Sequence, residues 1–113
     1  MHELGIMYNI VKRVLEVVET NKLTEVEAIV LRVGEQSGVV AQYLHSCYPA
    51  SVSGTLLERT ALKVEFVESN AVCRSCNKVF PVKVSKGCCP RCEGTDCEIV
   101  SGKEFMLKEI HAR

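Results

Sequence analysis

"CRSCNKVFPVKVSKGCCPRC", residues 73–92, holds two C-x-x-C pairs separated by twelve residues. The segment around it, residues 70–102, contains six of the chain's seven cysteines, and Phe80 and Ile99 are its only aromatic or long aliphatic side chains. So few apolar groups over about thirty residues cannot bury enough surface to fold unaided. A cross-link has to replace the missing core. Disulfides are a poor choice, because the cysteine count is odd and the chain reads as cytoplasmic, a reducing compartment. Residues 1–18 interleave apolar positions with Lys12, Arg13 and Glu16, with no small-residue cleavage site behind them, which is not the pattern of a signal peptide.

Metal ligation fits the spacing. A two-residue gap lets one tight turn aim two sulfurs at a point, and two such turns supply a tetrahedron of thiolates suited to Zn²⁺. Cys73, Cys76, Cys89 and Cys92 are the candidate zinc ligands. Cys88 adjoins Cys89 and competes with it, but the C-P-x-C spacing selects Cys89. Cys47 and Cys97 read as small apolar fillers. Four thiolates saturate the ion, so the site is structural and offers no open position for catalysis. A rubredoxin-like iron centre uses the same knuckles, usually with glycine after the second cysteine of each pair. Asn77 and Glu93 stand there instead, which favours zinc. Nucleic acid is a poor partner for such an arm. Its five basic residues face three acidic ones, a zinc tetrathiolate adds a charge of −2, and no aromatic residues interleave with the basic ones.

Outside this segment the composition is that of an ordinary soluble protein, 47% apolar and 25% charged, with 14 basic and 14 acidic residues. No global field draws it to nucleic acid or to an anionic membrane. Leu4, Met7, Val11, Val14 and Val18, with Ile10 and Leu15 beside them, make one apolar stripe on a helix predicted from Glu3 to Asn21. "VEAIVLRV" (26–33) is a β-branched strand. Ser37 is the expected N-cap of a second helix whose stripe is Val40, Tyr43, Leu44 and Cys47, and Pro49 should kink or end it. "ALKVEFVE" places Leu62, Val64 and Phe66 on one side of a half-buried strand, and "EFMLKEI" adds a third. The expected fold class is α+β: two helices on a three-stranded sheet (residues 1–69 plus 103–113), with an inserted four-cysteine zinc-ribbon arm (70–102). Gly102 and the residues near Ser69 are the expected hinges.

The chain opens Met1-His2-Glu3, directly ahead of the first helix. The α-amine, the His2 amide nitrogen and the His2 imidazole can close five- and six-membered chelate rings on one ion, and planar nitrogen-rich sites suit Ni(II) and Cu(II). The first amides of a helix have no intrahelical partner, so they are free for such use. Glu3 can balance the helix dipole, accept a hydrogen bond from the imidazole, or ligate. Methionine removal is not expected before a residue as bulky as His2.

Taken together, Met-His-Glu, "GE" after the first strand (Gly34, Glu35), C-x-x-C … C-P-x-C and the closing "GKEFMLKEI" resemble the HypA family over the whole length. That resemblance implies a nickel metallochaperone, not an enzyme. It implies nickel as transferred cargo at Met1 and His2 with Glu3 adjacent, and structural zinc at Cys73, Cys76, Cys89 and Cys92. The implied partners are the nickel-handling GTPase HypB and the large subunit of [NiFe]-hydrogenase during maturation, with urease served by some members, and the implied state is a monomer or homodimer. This chain has no histidines flanking its zinc knuckles. A fourth nickel donor is not evident, His45 and His111 being the candidates. The alternatives from the residues alone are a zinc-ribbon adaptor that binds only proteins, and an iron–thiolate redox module. No Ser/His/Asp set and no phosphate loop occur, so nothing points to catalysis.

Overall fold

The computed structural model describes residues 2–85 and 89–113, the side chains of His2 and Val84 excepted. Helix α1 (His2–Thr20) carries its stripe as expected, with Met7, Ile10, Val11, Val14 and Val18 buried. It ends in a Schellman motif: Lys22 takes a left-handed φ of 54°, while the Lys22 and Leu23 amides donate back to the Glu19 and Val18 carbonyls. Strand β1 (Val26–Gly34) follows, then α2 (Ala41–Val52) and β2 (Ala61–Val67). β1 and β2 are parallel, so α2 is the crossover of a βαβ unit. The last strand, β6 (Phe105–Ala112), pairs antiparallel with the other edge of β1, giving the order β2-β1-β6.

The core is built of rungs across this sheet. Leu62, Ile29 and Ile110 form one, and Val64, Leu31 and Leu107 the next, all packed with both helices. The third rung is Phe66, Val33 and Phe105, but Phe66 is 63% exposed. Its parity is the expected one, but it stands on the edge strand, whereas Val33 lies on the central strand with a neighbour on either side. The opposite face is charged. Glu65 on β2 pairs with Arg32 on β1 (3.1 Å) and with Lys108 on β6 (2.5 Å), so one carboxylate ties all three strands.

Helix α2 departs from its expected form. It starts at Ala41 with Val40 as N-cap and no side-chain cap; Ser37 instead accepts from the Val39 amide at 3.3 Å within the preceding loop. Its buried residues are Leu44, Tyr48, Ser51 and Val52, while Val40 and Tyr43 are exposed. The helix also runs through Pro49, which lies on the exposed side, so the carbonyl left without its helical donor is on the solvent-facing side of the helix. Burial of Tyr48 and Val52 on the other side holds the last turn. The Tyr48 hydroxyl donates to the Thr60 carbonyl (2.9 Å), and burial pushes its pKa up to about 12.

Residues 70–99 hold a second antiparallel sheet, with order β4-β3-β5: β3 (Asn70–Cys73), β4 (Val79–Pro81) and β5 (Cys97–Ile99), plus a single helical turn, α3 (Val82–Ser85). Its own small core is Ala71, Cys73, Phe80 and Cys89, with Cys76, Val82 and Cys97 against it. The molecule measures 55 × 27 × 16 Å with a radius of gyration of 17.9 Å, against about 13 Å for a compact chain of this length.

The positions expected to hinge form a tight seam. The Ser69 amide donates to a Glu35 carboxylate oxygen (2.8 Å), the Ser69 hydroxyl to the Ser101 carbonyl (3.1 Å), and the Gln36 amide to the Gly102 carbonyl (2.7 Å). Gly34 and Gly102 permit this approach. A Cβ on Gly34 would lie 2.3 Å from the Gly102 oxygen, and one on Gly102, at φ +82°, would lie 2.6 Å from the Ser69 Cα.

Candidate metal centres

Both cysteine knuckles have the same backbone. In the first, the Cys73 amide donates to the Lys78 carbonyl and the Asn77 amide to the Cys73 carbonyl. In the second, the Cys89 amide donates to the Gly94 carbonyl and the Glu93 amide to the Cys89 carbonyl. Asn77 (φ 62°) and Glu93 (φ 63°) sit in the left-handed region. Asparagine tolerates that region and glutamate does not, so the Glu93 turn is strained. The residue types hid a turn that glycine usually makes. The absence of glycine is therefore no ground for choosing zinc over iron, since the backbone adopts the turn regardless.

These turns bring Cys73, Cys76, Cys89 and Cys92 together, with all four sulfurs within 4.8 Å of one another, the one cluster of metal-ligating side chains among the described residues. Sulfurs at the corners of a tetrahedron of 2.3 Å metal–sulfur bonds stand about 3.8 Å apart. The Cys73–Cys92 and Cys76–Cys89 separations are 3.5 and 3.7 Å, so the residues fit a tetrahedrally bound ion. Backbone amides address the sulfurs. Those of Cys76 and Ser75 hold the Cys73 thiol down to about 6. Burial raises the Cys89 thiol, but the amides of Cys92 and Arg91 outweigh it and leave it below its usual range. Cys92 receives the Gly94 amide, yet the neighbouring thiols of Cys73 and Cys76, with burial, push it up to about 12. Four thiolates do not share this space without a cation. Cys88 lies outside the described residues.

At the other expected site, α1 begins at His2, so the amides of His2 and Glu3 lie in the first turn. Met1 and the His2 side chain lie outside the described residues. Glu3 is turned toward α2: its Oε2 accepts from the Val40 amide at 3.4 Å, and it lines a cavity of about 370 Å³ with Tyr43, Ser46 and Cys47. Neither candidate for a further nickel donor is near. At 100° per residue, His45 points away from the side of α2 that Tyr43, Ser46 and Cys47 turn toward Glu3. His111 belongs to the strand end where the Arg113 carbonyl accepts from Thr24, beyond the last turn of α1, a helix length of about 28 Å away. There it meets Glu109 at 3.2 Å.

An α+β body joined to a cysteine-knuckle arm defines a small metal-binding protein. The comparisons with known proteins are more specific. A family model for HypA, described as a hydrogenase/urease nickel incorporation metallochaperone, matches residues 1–112, and the chain belongs to that family. It is 34% identical over 110 residues to hydrogenase maturation factor HypA of Geobacter sulfurreducens, and 36% identical over 111 residues to that of Geobacter metallireducens, with 97% of each chain covered in both cases. Among solved structures it resembles the Ni metallochaperone HypA from Helicobacter pylori (TM-score 0.65, 21% identity, 97% and 96% of the two chains). It also resembles a second HypA solution structure (TM-score 0.73, 20% identity, 100% and 97%). Members of this family are maturation factors, not catalytic enzymes. Among the described residues no helix is long and apolar enough to cross a membrane.

Proposed function

We propose that this chain carries two metals with opposite requirements. Zinc stays: Cys73, Cys76, Cys89 and Cys92 hold it and thereby fold an arm of residues 70–102. Nickel leaves: the Met1 amine, His2 amide and His2 imidazole bind it at the body (1–69 plus 103–113), with Glu3 beside them. The protein then delivers nickel in the cytoplasm to the large subunit of [NiFe]-hydrogenase, working with the GTPase HypB. The observation that carries this reading is the family match, which spans both the opening tripeptide and the four cysteines. The sulfur separations support a tetrahedral ion, and the helix start at His2 supports the use of unpaired amides.

The two sites differ in what binding demands. Four converged thiolates hold their ion until the arm unfolds or the thiolates are protonated or oxidised. An amine–amide–imidazole site gives its ion up whenever protons or better-placed ligands compete. Selectivity for nickel over copper follows from supply and partners, because Cu²⁺ binds nitrogen donors more tightly.

The test is nickel titration of the untagged chain beside His2→Ala, with elemental analysis of the arm's metal. His2→Ala should abolish stoichiometric nickel binding with zinc content unchanged, and an N-terminal extension, which converts the amine to an amide, should do nearly the same. Equal nickel binding by wild type and His2→Ala overturns the nickel assignment. Red, iron-containing protein overturns zinc and gives the arm to electron transfer.

A further inference from the structure

Strand β5 sets Cys97 opposite Cys73 on β3. The Val100 amide donates to the Asn70 carbonyl and the Arg74 amide to the Asp96 carbonyl, so the hydrogen-bonded positions of this ladder are Asn70–Val100, Val72–Glu98 and Arg74–Asp96. Cys73–Cys97 is thus a non-hydrogen-bonded pair. Such pairs bring their Cα atoms to about 4.5 Å with side chains on one face. That separation falls inside the range of about 4.4–6.8 Å that a disulfide spans. Both side chains pack in the arm's core, and the Cys97 thiol donates to the Gly94 carbonyl at 3.7 Å. Gly94 in turn lies against the sulfurs of Cys73 and Cys92.

Cys97 is not one of the four converging sulfurs. With a metal on the other four, it is the arm's remaining thiol among the described residues. We propose that Cys97 is the redox partner of Cys73: a peroxide joins the two in a cross-strand disulfide and expels the metal. This rests on the reading that the four cysteines hold a metal. Cys73 attacks a peroxide oxygen, giving a sulfenic acid and hydroxide, which takes a proton to become water. The Cys97 sulfur then displaces the sulfenic hydroxyl, and the Cys97 proton leaves with it as a second water. Two sulfurs are oxidised to one disulfide while two peroxide oxygens are reduced. The ion, left with three thiolates, departs as those take up three protons. Joining two ligands to each other instead requires withdrawing both from the metal; Cys97 requires only one.

The experiment oxidises the metal-loaded full chain with hydrogen peroxide. Ion release is followed with a chromogenic chelator, and disulfides are mapped after cleavage by trypsin and before Asp96. The second cleavage separates Cys92 from Cys97, which share a tryptic peptide. The expected product is the 73–97 disulfide, one ion released per disulfide, and reversal by dithiothreitol and added zinc. Cys97→Ala and Cys97→Ser should bind the same metal and release it about tenfold more slowly. Release at the wild-type rate in both variants, or disulfides among the four ligands or to Cys88, overturns the proposal. Protein that carries no metal before oxidation refutes the underlying metal reading instead, and mapping the reduced, metal-free chain still tests the Cys73–Cys97 pairing.

Discussion

Glu93 shows what one side chain does to a metal knuckle. Its φ of 63° gives the second knuckle the turn that Asn77 gives the first, and a residue with a Cβ is destabilised there by about 1–2 kcal/mol. Glu93→Gly should therefore stabilise the metal-loaded arm by about 1 kcal/mol, measured as a shift of the urea midpoint at unchanged slope. Asn77→Ala should lower stability by a similar amount. The four cysteines were legible in sequence because two-residue spacing between thiols has few other uses. The left-handed turns were not, because spacing says nothing of φ and neither residue is glycine.

Between elements, charge and close backbone contact do what apolar pattern does within them. The Lys108 ammonium, donating to Glu65, and Arg32 beside it hold the Glu65 carboxyl below its ordinary 4.5. Because the folded value is the lower one, this stabilisation is present above pH 4.5 and is lost as pH falls through the lowered value. Glu65→Gln should be less stable than wild type near neutrality, with the difference closing as pH falls through the lowered Glu65 value, measured by urea midpoints from neutrality into acid. At the seam, Gly102→Ala adds both an unfavourable φ and a Cβ 2.6 Å from the Ser69 backbone. A loss of about 3 kcal/mol or more is expected, read from thermal unfolding of the whole chain. The three body strands were visible, β1 as a β-branched run and β2 and β6 as alternation. The short strands of the arm and the parallel pairing of β1 with β2 were not, since runs of three or four residues carry little pattern and alternation does not reveal direction. Phe66 shows the same limit: its side of the strand follows from parity, but parity does not say that the strand lies at the sheet's edge.

For the whole molecule, two cores make two stabilities. The body packs Met7, Val14, Ile29, Leu31 and Leu44 without help, while the arm has Phe80 and a set of sulfurs. Metal removal by a strong chelator should melt residues 70–99, seen as lost amide protection there, and leave α1, α2 and their sheet protected. Cys92→Ser should have the same effect without chelator. The loop from Glu35 to Val40 joins the two regions at one pole, with Glu35 holding Ser69 at the arm's base and the Val40 amide reaching Glu3 near the chain's start. Arg113 occupies the opposite pole, pinned to Thr24 and Glu25. Affinity tags and fluorescent reporters accordingly belong on the carboxyl end, about 28 Å from the start of α1; fused in front of Met1, they would convert the amine of the proposed nickel site into an amide.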